Sequence, residues 1–221
     1  PDFSDPSSAD QIPSKDDEPD VSVPPESEEP EKPKEIFAEG ILLIGTRAME
    51  LYYGDPNLKT LPFFAQVLND FAAKNPHLNV YSMVIPKAAA FYIDKSKDYG
   101  HLANRTQNDL NNLDGLLSDN VQSVNVYDTL MAHKDEDIYM RTDHHWSSLG
   151  AYYAAKQFAE DLGLPFEDLS AYTKNVRKNY LGTLYTYSGK HTTLRDNPED
   201  FVTYKPNASY KYYTYDQSFQ N

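Results

Sequence analysis

Hydrophobic and polar positions along this chain fall into blocks, and the blocks change character near residue 39. The run Ile41–Ile44, closed by Gly45, is continuous and apolar, the pattern of a short strand buried on both faces. Phe63, Phe64, Val67, Leu68 and Phe71 then recur at helical spacing. Thr60 is placed to cap that helix, Pro62 sits in its first turn, and Asn75-Pro76 lie beyond its end. Residues 78–86 predict a second strand. Leu110, Leu113, Leu116 and Leu117 share one face of a helix over 104–118. Residues 121–128 predict a third strand, and 137–143 a short extended segment. The next helix is well specified: Ser147 or Ser148 caps it, Leu149 to Leu162 are rich in helix formers, and Gly163 with Pro165 stops it. From residue 172 onward the pattern predicts short strands and turns, with no further helix. Strands alternating with helices of about 12–15 residues predict an α/β domain, a doubly wound and mostly parallel sheet flanked by helices.

Composition changes the picture at one end. Residues 1–39 hold 13 Asp/Glu against 3 Lys, and eight of the fifteen prolines, so most of the net charge of −14 sits there. Such a stretch cannot bury enough apolar surface to offset its ordering entropy. It predicts a disordered, extended linker over 1–38 and a folded domain over 39–221; the linker serves as a solvated spacer or as a binding tail. The acidic balance offers no basic stripe for phosphates, which argues against nucleic acid. Cysteine is absent, which removes disulfide and thiolate chemistry but leaves the compartment open. No stretch approaches the roughly 18–20 apolar residues of a membrane span. The chain starts at Pro1 with no leader pattern, as expected of a processed or excised piece. Its 18 tyrosines suit a surface on which sugars stack, and serve equally as strand residues.

The chemistry concentrates in residues 139–150, Tyr-Met-Arg-Thr-Asp-His-His-Trp-Ser-Ser-Leu-Gly. This stretch holds two of the six histidines and the one tryptophan, directly after Asp143. It ends an extended segment and precedes a helix, the edge at which α/β sheets collect their sites. In extended chain Asp143 and His145 point to one side and His144 to the other. Three uses compete. Asp143 can orient the His145 ring, fix its tautomer and stabilise its imidazolium for acid/base work. Asp143, His144 and His145 can hold a metal, although adjacent histidines are awkward ligands for one ion and no H-x-x-x-H or H-x-H pair is present. In the third use His145 bonds backbone and Trp146 fills core, as most buried polar and aromatic groups do. Arg141 can steer an anionic sugar or acyl donor, or stand as a solvated charge.

The block Ile138–Ala155 resembles the Tyr-x-x-Thr-Asp-x-His-Trp-x-x-x-Gly-Ala-Tyr block of the SGNH-hydrolase-like O-acetyltransferases of bacterial exopolysaccharides, such as the alginate-acetylating proteins. It resembles most a family of Gram-positive bacteria named for its Asp-His-His-Trp (DHHW) motif. Residues 39–54, 80–92 and 179–189 are similar to further segments of that family, and the resemblance spans 39–221. It implies that Asp143 and His145 are two members of a Ser-His-Asp triad, His145 deprotonating the serine and Asp143 holding His145. His144 fills a variable slot with no catalytic role. Trp146 shapes the substrate site or packs core, and Gly150 lets its helix pack closely. The resemblance further implies no metal and no diffusible cofactor, a cell-surface polysaccharide as substrate, a membrane-bound acyltransferase as acetyl donor, and an extracellular, envelope-associated location. The family's serine follows well downstream on a Gly-x-Ser turn between a strand and a helix. Here Gly45-Thr46-Arg47 lacks the serine, and neither Ser188 nor Ser218 is followed by a helical pattern. The expectation is a domain truncated before its nucleophile, inactive alone and an O-acetyltransferase or acetylesterase at full length. The alternative is a non-catalytic glycan-binding or scaffold protein of the same fold.

Overall fold

The computed structural model describes residues 34–37, 40–54, 59–95, 99–211 and 213–215. All of them fall in one compact unit, Lys32–Asn221. Residues 1–33, which make up most of the expected linker, lie outside the described residues, as does Ser218. Within the stretch expected as linker, Lys34–Phe37 form strand β1. Their backbone pairs antiparallel with β2, Ile41–Ile44, from Lys34 opposite Ile44 to Phe37 opposite Ile41. This pairing occupies backbone groups that a buried apolar strand cannot leave unbonded.

β2 does not cross over to a parallel neighbour. Gly45 takes φ 59° and, with Thr46, turns the chain straight back into β3, Arg47–Glu50. A positive φ at the first of two turn residues suits a tight hairpin, and Gly adopts it without steric cost. Both faces of β2 are nonetheless buried, as its unbroken apolar run predicts. Leu42 enters the main core with Met49 and Leu51, whereas Ile41 and Leu43 enter a second, smaller core with Ala48, Leu184 and Leu194.

The middle of the chain carries α1 (Thr60–Lys74), β4 (Val80–Ser82), α2 (Ala89–Tyr92), α3 (Gly100–Asp114) and β5 (Val121–Ser123). β4 and β5 pair in parallel, with Val80 opposite Val121. They are the one parallel pair among the described residues, so the predicted doubly wound sheet is not what these residues form; the chain is mixed α/β with small sheets. The third predicted strand is cut short because the Asn125 side chain accepts the Tyr127 N–H, which starts helix α4, Tyr127–Ala132. The apolar stripe of α1 is largely exposed, with Phe63 at 68% and Val67 at 50%. The side facing inward is built from Ala65 and Ala72, with Ala72 packed on Val80 and Val121. No helix among the described residues is long and apolar enough to cross a membrane.

The remainder frames the Asp-His-His-Trp segment. α5 (Ser148–Asp161) is capped by Ser147, whose hydroxyl accepts the N–H groups of Leu149 and Gly150. A Cβ at Gly150 would collide with the carbonyl oxygen of Ile138, so glycine lets α5 press against the segment, as expected. β6 (Thr173–Tyr180) and β7 (Glu199–Lys205) pair antiparallel. Between them lie two short helices that periodicity does not predict, α6 (Thr183–Tyr187) and α7 (Thr192–Arg195). Each is about one turn long and buries a single leucine, Leu184 at 1% and Leu194 at 0% exposure, which leaves no repeating pattern to read. Truncating the first of these, Leu184→Ala, is expected to cost about 2–5 kcal/mol in denaturant unfolding. Leu164→Ala, at an exposed position, is expected to leave the midpoint unchanged.

Candidate functional site

Residues 137–147 fold into a tight loop. Tyr139 bridges Trp146 antiparallel, the Ser147 N–H donates to Ile138 O at 2.9 Å, and the Met140 N–H donates to His145 O at 3.2 Å. The strand-like side of the loop is gripped from two directions. On one side, Ala48 N–H donates to Arg141 O at 2.9 Å, and the Arg47 guanidinium donates to the carbonyls of Tyr139 and Met140 at 3.1 and 3.2 Å. On the other, the Glu199 carboxylate, at the start of β7, accepts the N–H groups of Arg141 and Thr142, each at 2.7 Å, and the Thr142 hydroxyl. The Thr142 hydroxyl oxygen in turn accepts the Gly182 N–H at 3.0 Å, and Thr142 O accepts the Tyr185 N–H at 3.2 Å.

Asp143 sits at the tip of this framework, 4% exposed. Its Oδ1 accepts the backbone N–H of His145 at 3.0 Å and lies 2.6 Å from His145 Nδ1. Its Oδ2 accepts the Thr183 N–H at 2.9 Å, the Thr183 hydroxyl at 3.1 Å and the Tyr180 hydroxyl at 3.2 Å. Burial alone pushes the carboxyl upward in pKa, but the Thr183 and His145 N–H groups, with the imidazole and the Thr183 hydroxyl, outweigh it and hold Asp143 down at about 2. Asp143 is therefore an anion at neutral pH, and His145 Nδ1 carries the hydrogen between them. That places the lone pair of the neutral ring on Nε2. The His145 side chain is 65% exposed, and no hydrogen bond reaches Nε2 among the described residues. The arrangement is an oriented base with its reactive nitrogen open.

His144 lies on the same side, contrary to the expectation from extended chain. Residues 141–145 are bends, and the side-chain turn closed by Asp143 Oδ1 on the His145 N–H rotates the backbone out of strand alternation. The two imidazoles are 3.9 Å apart, centroid to centroid, and tilted by 36°. His144 Nδ1 is 2.6 Å from the Thr183 hydroxyl. Asp143, His144 and His145 thus bring potential ligand atoms within 4.8 Å of one another, closer than adjacent histidines in a strand would. An ion there would have to displace hydrogen bonds from Asp143, whose two oxygens together face five donor atoms.

Asp143 and His145 are brought together; Arg141 and Trp146 are placed in the framework. The Arg141 guanidinium donates to Thr46 Oγ1 at 2.9 Å and Pro198 O at 3.2 Å. Trp146 is partly buried and packs on the main core. Four residues of the site went unassigned in the sequence: Tyr180, Gly182, Thr183 and Glu199. Neither Gly182 nor Glu199 is marked by a local pattern: Gly182, where a Cβ would collide with the Asp143 side chain, meets the motif from far along the chain, and the contacts of Glu199 are 57 and 58 residues distant.

The pattern that defines the DHHW proteins matches residues 15–218. The chain belongs to the DHHW family. A DHHW-family protein from Eubacterium siraeum is similar in structure at TM-score 0.73 and 33% identity, over 80% of this chain and 58% of that one. PatB1 of Bacillus cereus, solved with a sulfonyl adduct, is similar in fold at TM-score 0.59 and 18% identity, over the same shares. The DHHW chain thus spans 58% of the length of each. Among curated protein sequences, none matches it.

The depressed Asp143 pKa makes stability pH-dependent in one direction. With a folded value of about 2 against an unfolded value near 3.9, its contribution is complete above about pH 4 and is lost as pH falls through 2. The contribution is on the order of 2 kcal/mol. Urea titrations of this DHHW chain and of Asp143→Asn are expected to differ most at neutral pH, to start converging at about pH 4 and to draw together as pH falls through about 2. A gap that stays constant down to pH 2 would contradict the assignment.

Proposed function

We propose that the full-length protein is an extracytoplasmic O-acetyltransferase or acetylesterase of a cell-surface polysaccharide, and that this chain supplies two members of a Ser-His-Asp triad. The observation that carries the proposal is the 2.6 Å contact between Asp143 Oδ1 and His145 Nδ1, on a ring whose Nε2 is open. The resemblance of Ile138–Ala155 to the SGNH-like O-acetyltransferases supports the choice of acyl group. The span of 58% of the similar structures leaves room for a nucleophile outside the described residues and for the rest of a doubly wound SGNH-like sheet.

In this reading His145 Nε2 takes the serine proton as the serine oxygen attacks the acetyl carbonyl, and backbone N–H groups beside the serine hold the oxyanion. The tetrahedral adduct collapses, the donor's oxygen leaves, and His145 returns the proton to it. A sugar hydroxyl, or water in an esterase, then attacks the acetyl-serine with His145 again as base. Asp143 stays ionised throughout, holding the ring and stabilising its imidazolium. Arg141 and Trp146 flank the pair and keep its loop in place on the substrate side. The acetyl donor in this reading is a membrane-bound acyltransferase.

The test is turnover of an activated acetyl ester by the full-length protein. Asp143→Ala and His145→Ala are each expected to lower kcat/KM by about a thousandfold or more. Equal rates in wild type and both variants would overturn the triad. Loss of activity on exhaustive chelation would assign the Asp143–His144–His145 cluster to a metal instead. Polysaccharide binding that survives His145→Ala, with no acyl-enzyme formed by the wild type, would favour the glycan-binding reading.

A further inference from the structure

The first histidine of the motif, His144, has no role in the triad, yet its bonding is as specific as that of the second, His145. Asp143 Oδ2 takes nothing from His145. It is held by Tyr180 at 3.2 Å and by Thr183, through the N–H at 2.9 Å and the hydroxyl at 3.1 Å. A threonine hydroxyl has one proton; when that proton goes to the carboxylate, the oxygen can only accept elsewhere. The atom facing it is His144 Nδ1, 2.6 Å away, which must then carry a hydrogen of its own. The His144 ring also lies 3.9 Å from that of His145.

We propose that His144 is a positioning residue of the dyad: by donating Nδ1–H to the Thr183 hydroxyl it commits the hydroxyl proton to Asp143 Oδ2, and its ring backs the His145 imidazole. One carboxylate thereby orients both rings, His145 directly through Oδ1 and His144 through Thr183 on Oδ2. Without His144 the Thr183 hydroxyl proton is no longer committed to Asp143 by a donor on its other side, and His145 loses the ring beside it. The part of this role that concerns turnover rests on the triad reading above. The part that concerns hydrogen bonding does not.

The two parts are measured separately. Long-range 1H–15N spectra of full-length protein labelled at histidine report which ring nitrogen is protonated. His144 is expected as the Nδ1–H tautomer in the wild type and as Nε2–H in Thr183→Val, where Nδ1 has lost its acceptor. A wild-type His144 in the Nε2–H form would overturn the proposal, because Thr183 would then donate to His144 and not to Asp143. In ester turnover, His144→Asn places an N–H close to the Nδ1 position, whereas His144→Gln places one near Nε2. The Asn variant, which keeps the hydrogen bond but not the ring, is expected to lose no more than about tenfold in kcat, and the Gln variant, which keeps neither, to lose about a hundredfold at unchanged KM, the scale on which small misplacements of a catalytic group act. Equal losses in the two variants, or a Gln variant as active as wild type, would also overturn it. A wild type with no ester turnover would sink the triad reading alone, and the spectra would still decide the place of His144.

Discussion

The structure turns on one buried carboxylate. Asp143 is 4% exposed and ionised, a state that is costly away from water unless every lone pair is used. Here the donors come from two places in the chain. His145 supplies two within the motif itself, and the segment Tyr180–Thr183 supplies three from beyond β6. A chain that failed to bring residues 180–183 against the motif would leave a charge in the interior with three of its five bonds unmade. The dependence runs both ways, since the anion so held fixes His145, through Oδ1, in the one tautomer that leaves Nε2 free.

Much of the surrounding packing serves that approach. Gly182 leaves room for the Asp143 side chain where a Cβ would collide with it. Leu184, one residue beyond Thr183, is buried with Ile41, Leu43 and Ala48, so a hydrophobic contact anchors the polar one. Glu199, brought into place by the β6–β7 pairing, holds the two backbone N–H groups just before Asp143. Arg141 ties the loop to the β2–β3 turn at Thr46, and Trp146 ties it to the main core. The aromatic and cationic residues of the motif thus hold the framework around the carboxylate and the two imidazoles.

What could be read from the sequence was local, and what could not was either a turn or a long-range pairing. The Ser147 cap, the glycine at 150 and the burial of β2 on both faces follow from patterns a few residues long, and the structure has them. The proximity of Asp143 and His145 was likewise legible, although the structure achieves it through a side-chain turn and not through strand alternation. For that reason His144, expected on the far side, lies beside His145. The direction of β2 was not legible: an apolar run predicts burial, but Gly45 and Thr46 decide direction by making a hairpin. Tyr180, Thr183 and Glu199 could not be found by periodicity, because they meet the motif from 37 to 58 residues away.

The most direct test of this account is the titration of the Asp143 carboxyl itself, followed by its side-chain 13C shift as pH is lowered. The five-donor site predicts a midpoint near 2. A midpoint near the ordinary aspartate value of about 3.9 would mean that the donors do not hold the anion and that the site is not built around it.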